Sequence, residues 1–272
     1  MSTHTLVSAA GLCLASVWML TMGTAAQSQP LPTKARFRLF LLVGQSNMAG
    51  RGAVTPADRE PHPRVLMLDK AGAWVPAVDP MHFDKPDVVG VGLGRAFATA
   101  LTDNDPAITV GLIPAAVGGS PIDAWRPGVL YRPTNSHPWD DAIARARQAM
   151  QAGTLAGILW HQGESDATPE LAPLYEARLH DLIARFRSTL EAPDVPFIAG
   201  QLGRFPDQPW DDARRQVDEA HGRLPDTVHR TAFVSAEGLV HKGDGVHFDA
   251  DSYRELGRRY AAAYRSMGAV RR

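Results

Sequence analysis

The stretch Phe37-Arg38-Leu39-Phe40-Leu41-Leu42-Val43-Gly44-Gln45-Ser46-Asn47-Met48-Ala49-Gly50-Arg51-Gly52 decides the fold class. Its first seven residues are apolar except Arg38. That is the composition of a strand covered on both faces, as in a parallel sheet, and not the in-and-out alternation of a half-exposed strand. Four later runs have the same character: 108–113, 155–160, 195–202 and 231–234. Helical patterns fall between them. Trp139 to Ala152 has an apolar stripe and opens on Asp140 and Asp141, which suit the positive end of a helix dipole. Leu171 to Leu190 sets Leu171, Leu174, Leu179, Leu182, Ile183 and Phe186 on one expected inner side. Asp211 to Gly222 and Ala250 to Met267 complete the set. Alternation of strand and helix predicts an α/β protein with a three-layer, doubly wound, mainly parallel sheet. In such sheets ligands bind beyond the carboxyl ends of the strands, so the residues just past each strand matter most.

The chain has 272 residues, 44% of them hydrophobic, enough for one sizeable core. A formal net charge of −1 gives no field to attract nucleic acid or an anionic membrane. Leu6 to Met22 is mostly apolar and is followed by Thr24-Ala25-Ala26, so residues 1–26 are expected to be a secretory signal peptide. The competing expectation is an uncleaved anchor, because His4 stands before the apolar run without Lys or Arg. Residues 27–34 read as a Pro-containing polar linker and 35–272 as one domain. Cys13 is the only cysteine and lies within the leader, where Leu12 before it does not suit a lipoprotein signal. The mature chain would then have no disulfide, thiol nucleophile or cysteine ligand. Export leads to a secreted or periplasmic protein with no membrane attachment after cleavage, since no later apolar run is long enough to span a bilayer.

Four strand ends carry the chemistry. Gly44 allows a tight turn after the first strand, which sets Ser46 at a helix N-terminus with its own N–H facing outward. There it is either a nucleophile or a helix cap. After the second strand, Gly118-Gly119 can present an unhindered backbone N–H, and Trp125 beyond it, a sugar platform or core, is expected to bind the substrate. After the third come His161-Gln162-Gly163-Glu164-Ser165-Asp166, polar groups too costly to bury unless paired or used. A metal set of His161, Glu164 and Asp166 is conceivable, but no HExxH-type spacing supports it, and no metal is assigned. Near the end, Asp244-Gly245-Val246-His247 puts a carboxylate three residues before an imidazole. A short loop can then orient one ring nitrogen and leave the other for a serine.

Taken together, G-Q-S-N-M at 44–48, G-G-S at 118–120, H-Q-G-E-S-D at 161–166 and D-G-V-H at 244–247 resemble the SGNH hydrolase superfamily, with its flavodoxin-like fold. Within it they resemble the sialate O-acetylesterase and acetylxylan esterase family of carbohydrate esterases. The likeness runs from Phe37 to the final helix. It departs from the wider superfamily in having Gln45 for an acid, and Gln162 where an asparagine is common. The resemblance implies a secreted serine esterase that removes acetyl groups from a carbohydrate without a cofactor. Ser46 would attack, His247 held by Asp244 would take the proton, and the Ser46 N–H, Gly119 N–H and Gln162 side chain would hold the oxyanion. Glu164 is the other acid near at hand, but it would have to reach across from a different strand end. It is expected to support the site through Asn47 or Arg51. The alternatives are an inactive carbohydrate-binding module on the same fold, and a lipase or thioesterase of the same superfamily.

Overall fold

In the computed structural model, which describes Met1 and residues 30–269, β1 (Phe37–Gly44) lies at the middle of a seven-stranded sheet. The expected leader lies outside the described residues but for Met1, and Cys13 with it. Strand β1 pairs in parallel with β4 (Thr109–Pro114) on one side and β5 (Thr154–His161) on the other. Beyond β5 come β6 (Phe197–Gly200) and β7 (Thr231–Val234), both parallel. Beyond β4 lies β2 (Val65–Leu68), parallel to it, and then β3 (Trp74–Pro76), antiparallel at the edge. Renumbered in chain order, the five expected strands stand as 2-1-3-4-5, the flavodoxin arrangement. The strand pair β2–β3 extends that sheet past its second strand.

Strand β1 is buried at every position but Arg38, and successive residues feed two separate cores. Phe37, Leu39, Leu41 and Val43 face α3 (Pro138–Met150), α4 (Ala172–Thr189) and α5 (Asp212–Thr227). Phe40 and Leu42 face α2 (Leu93–Asn104) and α6 (Ala250–Ala269). This is the physical meaning of a continuous apolar run: the period of two is still there, but both faces are dry. On α4, Leu179, Leu182, Ile183 and Phe186 are buried as expected, whereas Leu174 is turned outward and exposed. Helix α5 continues past Gly222 to Thr227 with Pro225 inside it, because Leu224 one turn from the end is fully buried in the core. Strands β2 and β3 and helix α2 have no counterpart in the sequence reading. A four-residue apolar run such as Val65-Leu66-Met67-Leu68 has no period by which strand and helix can be told apart. Among the described residues no helix is long and apolar enough to cross a membrane.

The cores enclose titratable groups that make stability depend on pH. Burial pushes His82 down to about 3, with Asp84 opposing and Arg51 and Arg145 assisting. Burial likewise pushes His221 down to about 3, assisted by His161. Both stay neutral in the folded chain, while the unfolded chain takes up protons below about pH 6.5, so acidification favours unfolding. Asp79 acts in the opposite sense. Burial raises it to about 7, so the folded form holds a proton between about pH 4 and 7 that the unfolded form does not. From pH 7 to 5 each histidine costs about 2 kcal/mol, and Asp79 returns a similar amount. These three groups together give a loss of about 2 kcal/mol between pH 7 and pH 5, to which buried His161 adds and from which the raised Asp166 and Asp218 subtract, and the expected result is a falling Tm. A Tm that rises or is flat over that range would contradict this account.

Candidate active site

The site is built at the junction of β1 and β5. Gly44 closes β1 with φ +129°, and a Cβ there would collide with the His161 carbonyl, so the two strand ends approach as closely as backbones can. The chain then turns into α1 (Ser46–Ala49), with the Gln45 N–H bonded to His161 O at 2.9 Å. Ser46 is the first residue of this short helix. Its N–H has no acceptor among the described residues, as befits a first-turn amide.

Ser46 Oγ lies 2.9 Å from His247 Nε2, and His247 Nδ1 lies 2.7 Å from Asp244 Oδ2. Asp244 Oδ1 also accepts the backbone N–H groups of Val246 at 3.0 Å and His247 at 2.8 Å, so the loop winds around its own carboxylate. Partial burial pushes the Asp244 carboxyl up. The N–H of His247, its ring and the N–H of Val246 outweigh that and hold it well below the usual carboxylate range. An ionised acceptor on Nδ1 fixes the tautomer: Nδ1 carries the hydrogen and Nε2 offers its lone pair to Ser46.

Asn47 joins the parts. Its amide donates to Glu164 Oε1 at 2.6 Å and to Val246 O at 3.1 Å, while its oxygen accepts from Tyr253 Oη at 2.6 Å and Phe248 N at 3.4 Å. One side chain thus ties the turn after β1 to the end of β5, the histidine loop and α6. Of the two partners expected for Glu164, the one it meets is Asn47. Arg51 instead pairs at 2.8 Å with Asp84, whose same oxygen accepts the Gly118 N–H at 2.8 Å.

The turn after β4 is clamped on several sides. Gly119 has φ +81°, open to glycine, and its carbonyl accepts from Tyr131 Oη at 2.8 Å and Ser165 Oγ at 2.9 Å. Burial pushes the Tyr131 phenol up, which keeps it protonated as a donor. The Gly119 N–H has no acceptor among the described residues. Asp84, Tyr131 and Ser165 were missed in the sequence. Asp84 and Tyr131 lie in loops between elements, where no pattern marks them, and Ser165 stands inside a polar block whose side-chain directions cannot be read.

Two expectations fail. Gln162 does not aim at the oxyanion position. It is fully buried, and its amide hydrogens go to Ser120 O at 3.1 Å and to Asp166 Oδ2, while Tyr175 Oη donates to its oxygen at 2.8 Å. An amide has two donor hydrogens, and both are committed. Asp166, pushed up by burial against the hydrogen bonds of Gln162 and the Ile122 N–H, holds it there. Trp125 is not a sugar platform. It is fully buried, packs edge-on against Trp160 at 5.3 Å, and its indole N–H donates to Ser120 Oγ at 3.0 Å. Nor do His161, Glu164 and Asp166 converge on a common point. His161 Nδ1 meets Tyr260 Oη at 3.2 Å, Glu164 holds Asn47, and Asp166 holds Gln162. Among the described residues no group of three His, Cys, Asp or Glu side chains could hold a metal ion.

The model of the family described as "carbohydrate esterase, sialic acid-specific acetylesterase" matches residues 36–266. A probable carbohydrate esterase of Arabidopsis thaliana is 31% identical over 261 residues, which is 87% of this chain and 92% of that one. Among solved structures, a protein from Arabidopsis thaliana superposes with a TM-score of 0.74 at 30% identity, covering 86% of this chain and 99% of that one. NanS superposes with a TM-score of 0.71 at 18% identity over 89% of this chain and 100% of its own, a likeness of fold. The chain therefore belongs to the carbohydrate esterase, sialic acid-specific acetylesterase family, and its chemistry is the hydrolysis of carboxylic esters.

Proposed function

We propose that this esterase removes O-acetyl groups from an acetylated carbohydrate by a serine mechanism with an acetyl-enzyme intermediate. The observation that carries the reading is the continuous relay Ser46–His247–Asp244; the N–H of Ser46, and that of Gly119 in the turn after the neighbouring strand β4, have no acceptor among the described residues. Ser46 Oγ attacks the acetyl carbonyl as His247 Nε2 takes its proton, and Asp244 steadies the imidazolium that forms. The carbonyl oxygen becomes an oxyanion held by the N–H groups of Ser46 and Gly119, donors already held in place by the backbone. Each such donor is worth a factor of about 100 to 1,000 in rate. The sugar hydroxyl leaves with the proton from His247. Water, deprotonated by the same imidazole, then attacks the acetyl-serine and releases acetate.

Gln162 and Asp166 serve by position: they fix Ser120 and so the adjoining oxyanion turn. The export of the mature chain after Ala26 is proposed from residues 1–26 alone. The test of function is acetate release from a panel of acetylated xylan, O-acetylated sialic acid and O-acetylated peptidoglycan. Catalytic release of acetate from at least one is expected. Turnover of long-chain acyl esters with none of these glycans would replace the proposal with a lipase or thioesterase.

A further inference from the structure

A cavity of about 660 Å³ opens between the 204–210 loop, α5 and the turn at Glu237-Gly238. It lies past the carboxyl ends of β6 and β7, on the sheet edge that also carries Ser46. The 204–210 loop is braced against the loop of Asp244 and His247. Asp207 Oδ2 is 2.9 Å from His241 Nε2, and His241 Nδ1 accepts the N–H groups of Gly243 at 2.9 Å and Gly245 at 3.1 Å. The Phe205 ring stands edge-on to Phe248 at 5.5 Å, and Gln208 lies so close to Gly245 that a Cβ there would be 2.9 Å from its Cδ. The cavity therefore shares a wall with the histidine loop.

The lining has a definite chemistry. Trp210 is half-buried, and its indole N–H is committed to Gly203 O at 2.9 Å, which fixes the ring. The Arg204 guanidinium stands over one face of the ring, 5.8 Å from its centre, so a sugar reaches that face only by displacing it. Neither Arg204 nor the Glu237 carboxylate has an ion-pair or hydrogen-bond partner for its side chain among the described residues. Arg215, paired with Asp212, Asp218, which accepts from Gln201 Nε2 at 3.0 Å and Leu202 N at 3.4 Å, Glu219, 3.5 Å from Arg223, and Gln208 complete the polar lining. An acyl chain seated here would strip water from these charges without replacing it. A polyanion would meet three carboxylates, Asp218, Glu219 and Glu237, against the two guanidinium groups of Arg204 and Arg215. A sugar ring suits the set: its C–H face packs on indole, and its hydroxyls both donate to carboxylates and accept from guanidinium and amide.

We propose that this cavity is a carbohydrate subsite that takes the sugar units next to the acetylated one, an inference that rests on the esterase reading above. The test has two arms. In the first, calorimetric titration of the wild type with a panel of oligosaccharides free of acetyl groups (xylohexaose, chitohexaose, sialyllactose) is compared with Trp210→Ala and with the double variant Arg204→Ala, Glu237→Gln. The double variant changes only exposed side chains, which covers the case in which Trp210→Ala fails to fold. Binding of at least one sugar by the wild type is expected, weakened about ten-fold in the variants, the equivalent of about 1.4 kcal/mol. No binding by the wild type, or equal binding by the folded variants, overturns the subsite. In the second arm, the ratio of kcat/KM for an acetylated oligosaccharide to that for para-nitrophenyl acetate is measured. The ratio should fall about ten-fold in the variants, chiefly through KM, as loss of uniform binding does. An unchanged ratio overturns the subsite. A wild type that hydrolyses neither ester overturns the esterase reading, while the titration still decides whether sugars bind.

Discussion

Ser46→Ala is expected to lower kcat for acetyl-ester hydrolysis by a factor of about ten thousand or more while leaving the chain folded. The reason lies in what the substitution removes. The Ser46 hydroxyl makes one hydrogen bond among the described residues, 2.9 Å to His247 Nε2, so removing a single oxygen orphans no buried charge. Its backbone N–H stays at the start of α1 and the turn of Gly119 is untouched, so the proposed oxyanion donors persist without a nucleophile. Residual activity should come from those donors and from substrate binding alone. The measurement is kcat on an acetyl ester together with a thermal melt. More than about a tenth of the wild-type rate at an unchanged Tm would remove Ser46 from the mechanism.

Asp244→Asn should give the next largest loss, about a hundred- to ten-thousand-fold in kcat. The asparagine oxygen can still accept the N–H groups of Val246 and His247, so the loop keeps its shape. Its amide, however, places a donor against His247 Nδ1 and favours the tautomer whose hydrogen points at Ser46, where a lone pair is needed. The lower part of the range is favoured because the Asp244 side chain is 37% exposed, and water already screens part of its charge. Glu164→Gln makes the contrast. A glutamine keeps an oxygen for Asn47 but puts two amide hydrogens at the buried Oε2 position, which has no partner among the described residues. It should therefore act chiefly as a lower Tm, with less than about a ten-fold loss in rate. A larger kcat loss for Glu164→Gln than for Asp244→Asn, with both folded, would exchange the roles of the two acids.

Part of this site is legible because it is local. Asp244 and His247 sit within one turn, and no distant packing is required for a carboxylate to reach an imidazole three residues on. Ser46 is legible because a glycine-bounded turn directly after a buried strand limits where its side chain can go. Gln162 misleads for the opposite reason. It comes after β5 as Ser46 comes after β1, but its direction is set by Asp166, Tyr175 and Ser120, and Ser120 comes from another strand end. Trp125 misleads because an indole in a loop is as able to fill a core as to face a sugar. What decides is the neighbouring Trp160 and the Ser120 hydroxyl that accepts its N–H.

The residue pattern by itself determined that the sheet is mainly parallel and covered on both faces, since only burial on both sides makes unbroken apolar strands favourable. It also determined the loop of Asp244 and His247, because short-range hydrogen bonds need little ordering of the chain. Only the tertiary structure decided which strand ends meet. The order 2-1-3-4-5 sets β1 between β4 and β5, and so brings the turn of Gly119 and the Glu164 that bonds Asn47 to the end of β1 that carries Ser46. It also decided that Asn47, through bonds to Glu164, Val246, Phe248 and Tyr253, fastens the histidine loop to the turn after β1, and that Gln162 is turned into the core. These outcomes depend on which side chains compete for the same buried donors and acceptors, and that competition exists only once the whole core has closed.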